Sequence, residues 1–424
     1  MGGGWSSVRA VSVGALLVVV AAGCTTSVAP TEPTLVRVIM ADDWATAPAV
    51  RDVFDAFERA HDNVRVQVQA VPFSQIPDMV SSGQDLDQHY DLAHWHAFAA
   101  AAAGLAEPLG EQWREAGLRT DEFLPGAVED VVWLGEPYGV PLDTNALVLL
   151  TDLNLIAGAG VDGADELGTP EGFLDAADAI VASSTAKWML PISTSSWQAY
   201  GWIRAFGGEL VRIDQETGAP TFTFDDPRTI AALDFLVELV DTNLAPKPFG
   251  ADLAADAVQA FAAGEVAAHA TGSWDLNIVA RNATRDVDLE VLPLPQADPD
   301  DPVTVLGGSS LFVPVGAEQP DLAFDLALRL TQDDVALRLA EEEGRLPARV
   351  RVFDAPQFTE DPLLSDFVLQ LPNARVMPLI AYPEVAQAFS EALNSTLSGS
   401  QSPAQTMGEL QAFAEGWAAS EQTP

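Results

Sequence analysis

Residues 139–150 place the tightest constraint on this fold. They read Gly-Val-Pro-Leu-Asp-Thr-Asn-Ala-Leu-Val-Leu-Leu, two apolar runs joined by the polar elbow Asp143-Thr144-Asn145. The first run follows the turn Trp133-Leu134-Gly135-Glu136-Pro137-Tyr138. The second is short, apolar and strand-like, a pattern that a buried helix shares at this length. Two readings compete. In one, an ordinary buried strand has a polar entry turn. In the other, a bent strand crosses between two lobes and leaves a carboxylate, a hydroxyl and an amide where they meet, a favoured place for ligand clefts.

The chain before the elbow favours an α/β architecture. Residues 35–40 alternate as a first strand and end at Ala41-Asp42-Asp43-Trp44. Residues 47–61 have helical spacing, with Val50, Val53, Phe54 and Phe57 on one face. Val64, Val66 and Val68 mark a second strand. Residues 74–82 read as a helix, and 90–93 as a short strand ending in His94-Trp95-His96. A β-α-β-α-β order implies a mostly parallel sheet with helices on both faces, and ligands beyond the strand C-termini.

After the elbow, Thr169 and Pro170 open a helix over 171–182, threonine as cap and proline at the first position. Helices follow at 197–206, from Asp226-Pro227 to 240, and over 256–263, 320–330, 333–342, 385–393 and 404–418. Strands are expected at 222–224, 266–270, 289–294 and 303–313, the last with Gly307-Gly308-Ser309-Ser310 in its middle.

Of the 424 residues, 48% are hydrophobic, enough for more than one core. Lys+Arg number 20 against 62 Asp+Glu, a net charge of -42. Such a surface repels nucleic acid and anionic lipid, so neither is expected as a partner. Lysine occurs only at Lys187 and Lys247, and an acidic, lysine-poor surface suits a salty external medium.

The N-terminus reads as a targeting segment. Arg9 precedes an apolar run, 11–22, too short to span a membrane. Ala21-Ala22-Gly23 then lead to Cys24, the only cysteine, which excludes an intramolecular disulfide and a Cys-only metal cage. The run Ala21–Cys24 resembles the lipobox of bacterial lipoproteins, with alanine where leucine or valine is commoner. The resemblance implies a lipoprotein signal peptide over 1–23, lipidation of Cys24 and a lipidated tether over 24–34. A plain secretory signal cleaved nearby is the alternative.

Tryptophans at element ends suggest the ligand. A sugar ring has apolar faces and a polar rim, which an indole and a ring of carboxylates, amides and guanidinium groups match. Trp44, Trp95, Trp197 and Trp274 stand at strand ends or helix starts beside Asp42, Asp43, His94, His96, Asp143, Asn145, Ser196 and Asp275. Core filling is the competing role for each. Gly308 and Ser309 offer backbone N–H and hydroxyl groups, or else mark a close backbone approach. Arg345 is a fork for ligand hydroxyls or the partner of Glu341-Glu342-Glu343. His94 and His96 face one way but lack a third metal ligand, so no metal is expected. Adjacent carboxylates such as Asp42-Asp43 do not define a hydrolytic pair in so acidic a chain. No nucleophile elbow, phosphate loop or zinc-protease motif occurs, and no cofactor is called for.

The order of these signals carries a family resemblance. Its marks are Asp91-Leu92-Ala93, Gly104-Leu105-Ala106-Glu107-Pro108-Leu109, the elbow, Ala205-Phe206-Gly207-Gly208-Glu209-Leu210, and Thr223 to Pro227 with 230–236. They continue with 257–264, Gly272-Ser273-Trp274, 307–314, Gly344-Arg345-Leu346-Pro347-Ala348-Arg349 and Arg375-Val376-Met377-Pro378. Over most of 35–418 the chain resembles the extracellular solute-binding proteins of bacterial carbohydrate ABC importers, family 1, the maltose-binding-protein-like group. It departs from that pattern at Leu150-Thr151, where members carry Tyr-Asn.

The resemblance implies an α/β, two-lobe periplasmic-binding-protein fold with a cleft between lobes. It implies crossings at 144–145, 307–310 and 374–377. The N-terminal lobe is then 35–143 plus 311–373, and the C-terminal lobe 146–306 plus 378–424. It implies a lipid-anchored monomer outside the cell that binds a sugar or oligosaccharide, closes, and delivers it to an ABC permease without breaking a bond. A polyamine or other polar solute on the same fold is the nearest alternative, through cation–π contacts. A secreted glycosidase is the rival from another class.

Overall fold

The computed structural model describes residues 1–2, 32–85, 89–161, 163–248, 250 and 254–421. The apolar run 11–22, the small residues before Cys24 and Cys24 itself lie outside the described residues. Among the described residues no helix is long and apolar enough to cross a membrane.

The fold starts as the alternation predicts. β1 (Thr34–Ala41) and β2 (Val64–Val71) pair in parallel, from Thr34 opposite Val64 to Ala41 opposite Val71. β2 is an edge strand with one covered face, hence its strict alternation. The helix Pro48–Ala60 returns the chain between them. Its proline sits where an N–H would lack an intrahelical partner, and Val50, Phe54 and Phe57 form its buried stripe. β3 (Leu92–Trp95) joins the other side of β1 in parallel. Buried Asp91 pins its entry by accepting the backbone N–H groups of Arg37 and Gln319, each at 2.7 Å.

The elbow divides into two strands in different sheets. β4 (Gly139–Thr144) belongs to a six-stranded sheet, and β5 (Val148–Asp152) is the centre of a three-stranded one. β5 is flanked antiparallel by β6 (Ala268–Thr271) and β7 (Leu289–Leu292). The expected strand over 303–313 is also two elements. β8 (Thr304–Val305) ends before Gly307, and β9 (Ser309–Phe312) returns to the large sheet. β10 (Leu346–Pro347) adds beside β4, and β11 (Ala374–Arg375) pairs with β8. The large sheet runs β10-β4-β9-β3-β1-β2.

The expected mostly parallel sheet is therefore mixed. β9 inserts between β3 and β4 and is antiparallel to both. A strand that comes straight back from the second lobe, with no helical crossover, enters against the direction of its neighbours. The expected strand over 222–224 lies slightly earlier, at Pro220–Phe222.

Three stretches run side by side at the junction between the two larger sheets. Leu147 N–H donates to Val305 O at 3.2 Å, Gly307 N–H to Asn145 O at 2.9 Å, and Leu306 N–H to Arg375 O at 2.7 Å. Two apolar cores flank this junction. β5 is buried on both faces: Val148 and Leu150 join the first core, Leu149 the second. Helix caps read from sequence are in place, Thr169 Oγ1 accepting Gly172 N–H at 3.2 Å and Asp226 Oδ1 accepting Arg228 N–H at 2.9 Å.

Candidate functional site

The junction opens into a cleft of ≈ 930 Å³. It lies where strands of both sheets end, so each lobe contributes side chains from rigid elements. Trp44 and Trp95 line it from the large-sheet side, Trp197 and Trp274 from the other. Asp43, His94, His96, Asp143, Gly308, Ser309 and Arg345 line it as well.

Trp197 and Trp274 form one wall. Their ring centroids are 5.8 Å apart with planes at 52°. Trp197 Nε1–H donates to Leu306 O at 2.7 Å, which fixes the helix Ser196–Ala205 to the junction. Trp274 lies folded over Gly272: a Cβ there would come 2.2 Å from its ring. Glycine is required so that the indole can rest flat against the chain.

On the opposite wall Trp44 is buried and meets His94 edge to face, centroids 5.2 Å apart. The Arg345 guanidinium lies 5.2 Å from the Trp44 ring centre and is ion-paired with Asp43. Arg345 thus lines the cleft with Asp43 as its partner, which is neither of the two expected for it.

The floor is a directed hydrogen-bond relay. Ala41 N–H donates to His94 Nδ1 at 3.4 Å, so Nδ1 is an acceptor and Nε2 carries the ring proton. Nε2–H then donates to Ser309 Oγ at 2.8 Å, and the Ser309 hydroxyl donates to Asp143 Oδ1 at 2.5 Å. Burial, with smaller contributions from Arg345 and His96, lowers the His94 pKa to about 3 and keeps the ring neutral. Burial raises the Asp143 carboxyl to about 6, against the opposing pull of Arg345 and the Ser309 bonds. Gly308 allows this floor to close, because a Cβ there would lie 2.5 Å from Asp143 O. The Ser309 hydroxyl is thus spent inside the protein, and so is that of Ser310, which donates to Trp95 O at 2.9 Å.

Three expected residues do not line the cleft. Asp42 is exposed and its Oδ1 accepts Asp43 N–H at 2.9 Å. Asn145 is buried behind the floor: its Nδ2 donates to Ser273 Oγ at 2.7 Å, and Ser273 Oγ donates to Gly344 O at 2.6 Å. Asp275 accepts Thr271 Oγ1–H at 2.6 Å and contacts His269 Nε2 at 3.1 Å. Asn145 and Asp275 therefore brace the turn that carries Trp274. Among the described residues no group of three His, Cys, Asp or Glu is arranged to hold a metal ion.

Other lining residues were not anticipated. Asn277, Ile278 and Arg281 line the cleft with Trp274 at i+3, i+4 and i+7, one face of the helix Leu276–Asn282 and the turn before it. That spacing is readable once Trp274 is taken as a ligand residue. Phe73 and Ser74 follow the C-terminal end of β2, where the strand-end rule places ligands.

A family model described as bacterial extracellular solute-binding protein matches residues 52–366. The chain belongs to this family. This solute-binding protein is 23% identical to the maltotriose-binding protein of Pyrococcus abyssi over 332 residues, 77% of this chain and 67% of that one. Its fold matches the sugar-binding protein MalE of Xanthomonas citri with a TM-score of 0.77 at 20% identity, covering 92% of this chain and 98% of that chain. It matches UgpB of Mycobacterium tuberculosis, in complex with glycerophosphocholine, with a TM-score of 0.77 at 18% identity, over 93% and 100% of the two chains. The two-lobe α/β fold is that of maltose-binding-protein-like receptors. The family is one of binding proteins and not of enzymes, which removes the glycosidase reading.

Proposed function

We propose that this solute-binding protein is the external receptor of an ABC importer and captures a sugar or oligosaccharide in the cleft between its lobes. Indoles on both walls carry the reading: a pyranose face stacks on Trp197 or Trp274 while the polar rim bonds its hydroxyls. The maltotriose-binding relative supports the same ligand class. A polyamine fits less well. The cleft already holds Arg281 and Arg345, the latter over Trp44 where a ligand cation would stack. Of its carboxylates, Asp43 is paired with Arg345 and Glu342 with Arg338.

In this reading the lobes are 35–143 plus 311–373 and 146–306 plus 378–424, hinged at 144–145, 307–310 and 374–377. Ligand contacts to both lobes drive closure, and the closed form is what the permease receives. Cys24 is lipidated and tethers a monomer to the outer face of the cytoplasmic membrane through 24–34. Cys24→Ser then leaves an uncleaved precursor or releases the protein to the medium, as membrane fractionation will show. A processed, membrane-bound Cys24→Ser protein would contradict the anchor.

The ligand reading is tested at Trp274. Desolvating a sugar face against this indole contributes on the order of 1–3 kcal/mol. Trp274→Ala should weaken maltotriose binding about tenfold or more in calorimetric titration, with a small change in the unliganded melting temperature. A packing tryptophan behaves oppositely, since its removal leaves a cavity costing roughly 3–5 kcal/mol. A large fall in melting temperature with unchanged affinity would return Trp274 to the core.

A further inference from the structure

One buried carboxylate beside the cleft is only half used. Asp130 follows the helix Pro125–Glu129, and its backbone is fixed at both ends. Its N–H donates to Gly126 O at 3.0 Å, and its carbonyl accepts Phe98 N–H at 2.9 Å. The side chain is 1% exposed. Oδ1 contacts His96 Nδ1 at 2.6 Å, while Oδ2 is buried with no hydrogen-bond partner. A carboxylate oxygen left without a donor costs free energy, and a native fold that keeps one calls for a reason.

His96 supplies it. A carboxylate only accepts, so Nδ1 carries a proton, and in the neutral ring Nε2 is then the acceptor. The ring is held further by Phe73 and Trp95, at centroid distances of 5.4 and 5.7 Å. His96 lines the cleft and is partly exposed, and among the described residues no protein group bonds its Nε2. The neighbouring His94 has the opposite tautomer, with Nε2–H turned inward to Ser309. The two histidines thus divide the work: one closes the floor and the other presents its free edge to the ligand.

We propose that Asp130 is a positioning residue for ligand recognition: it holds the His96 proton on Nδ1, so that Nε2 meets a ligand hydroxyl as an acceptor. The ligand half of this statement rests on the sugar reading; the tautomer half does not. Asp130→Asn keeps the shape and supplies an amide N–H that can donate to Nδ1, which frees the ring proton to move to Nε2.

The test is the ¹⁵N spectrum of unliganded, histidine-labelled protein at neutral pH. The chain has five histidines, and the His96 signals are those lost in His96→Gln. Native protein should show the proton on Nδ1, and Asp130→Asn should show it on Nε2. Maltotriose binding to Asp130→Asn should weaken by at least about tenfold, with no fall in melting temperature, because a carboxylate kept only for structure would lose stability instead. A proton on Nε2 in the native protein overturns the proposal with no variant needed. So does a moved proton with affinity within about twofold of native. Native protein that ignores maltotriose would remove that sugar, and the ring-proton comparison would still decide the role of Asp130.

Discussion

At the residue scale, the cleft floor joins two titrations of opposite sign. Asp143 is raised to about 6, so between about pH 4 and 6 the folded protein keeps a proton that the unfolded chain has released. Its contribution makes stability fall as pH rises through that window. His94 is lowered to about 3, so from about pH 6.5 down to 3 the unfolded chain binds a proton that the folded one refuses. Its contribution makes stability rise with pH. Between pH 4 and 6 the two slopes oppose each other. Asp143→Asn keeps an acceptor for the Ser309 hydroxyl and removes one slope. Its stability relative to native should then climb with pH across this window by about 1.4 kcal/mol per pH unit at most. Urea unfolding at several pH values measures this. Parallel curves for the two proteins would show that Asp143 is ionised throughout and that its burial is not felt. The candidate carboxylate itself was legible, because a polar elbow between apolar runs is rare enough to stand out. Its partner Ser309, lying 166 positions away in sequence, was legible only as a polar neighbour of Gly308, because a register between distant strands leaves no local mark.

At the element scale, periodicity served best where one face is covered and the other wet. β2 and the helix Pro48–Ala60 are of that kind, and their bounds lie within a residue or two of the reading. It served least at the junction. The run 303–313 does not alternate because β8 and β9 are buried throughout, and Gly307-Gly308 is the one local mark of the break between them. The direction of β9 is a tertiary fact: the same residues would suit a parallel or an antiparallel neighbour. Asn145 and Asp275 were singled out for the right neighbourhood and the wrong depth. Both are polar groups beside a cleft-lining tryptophan. Whether such a group faces solvent or braces the backbone depends on one turn of chain, Ser273–Asp275, whose path sequence does not specify. Asp130 was missed for the converse reason, as one acid among 62 with nothing local to distinguish it.

At the scale of the whole molecule, the charge bears on closure. Acidic residues are spread over both lobes, and the net charge is -42. Bringing two lobes of like sign together is opposed by a repulsion that salt screens, with a Debye length of about 10 Å at 0.1 M and about 3 Å at 1 M. In the proposed closure, ligand contacts overcome that repulsion as well as the hinge. Saturating maltotriose should therefore reduce the radius of gyration in small-angle scattering, since contacts on both walls are made together only in the closed form. Raising salt from about 0.05 M to about 0.5 M should bring the same contraction at lower ligand concentration. A neutral sugar has no charge for salt to screen, so the gain belongs to the lobes. A cationic ligand would show the reverse, because screening weakens its attraction to an acidic cleft. Scattering profiles that coincide with and without saturating ligand would remove the hinge, and contraction favoured by low salt would shift the ligand from sugar to cation.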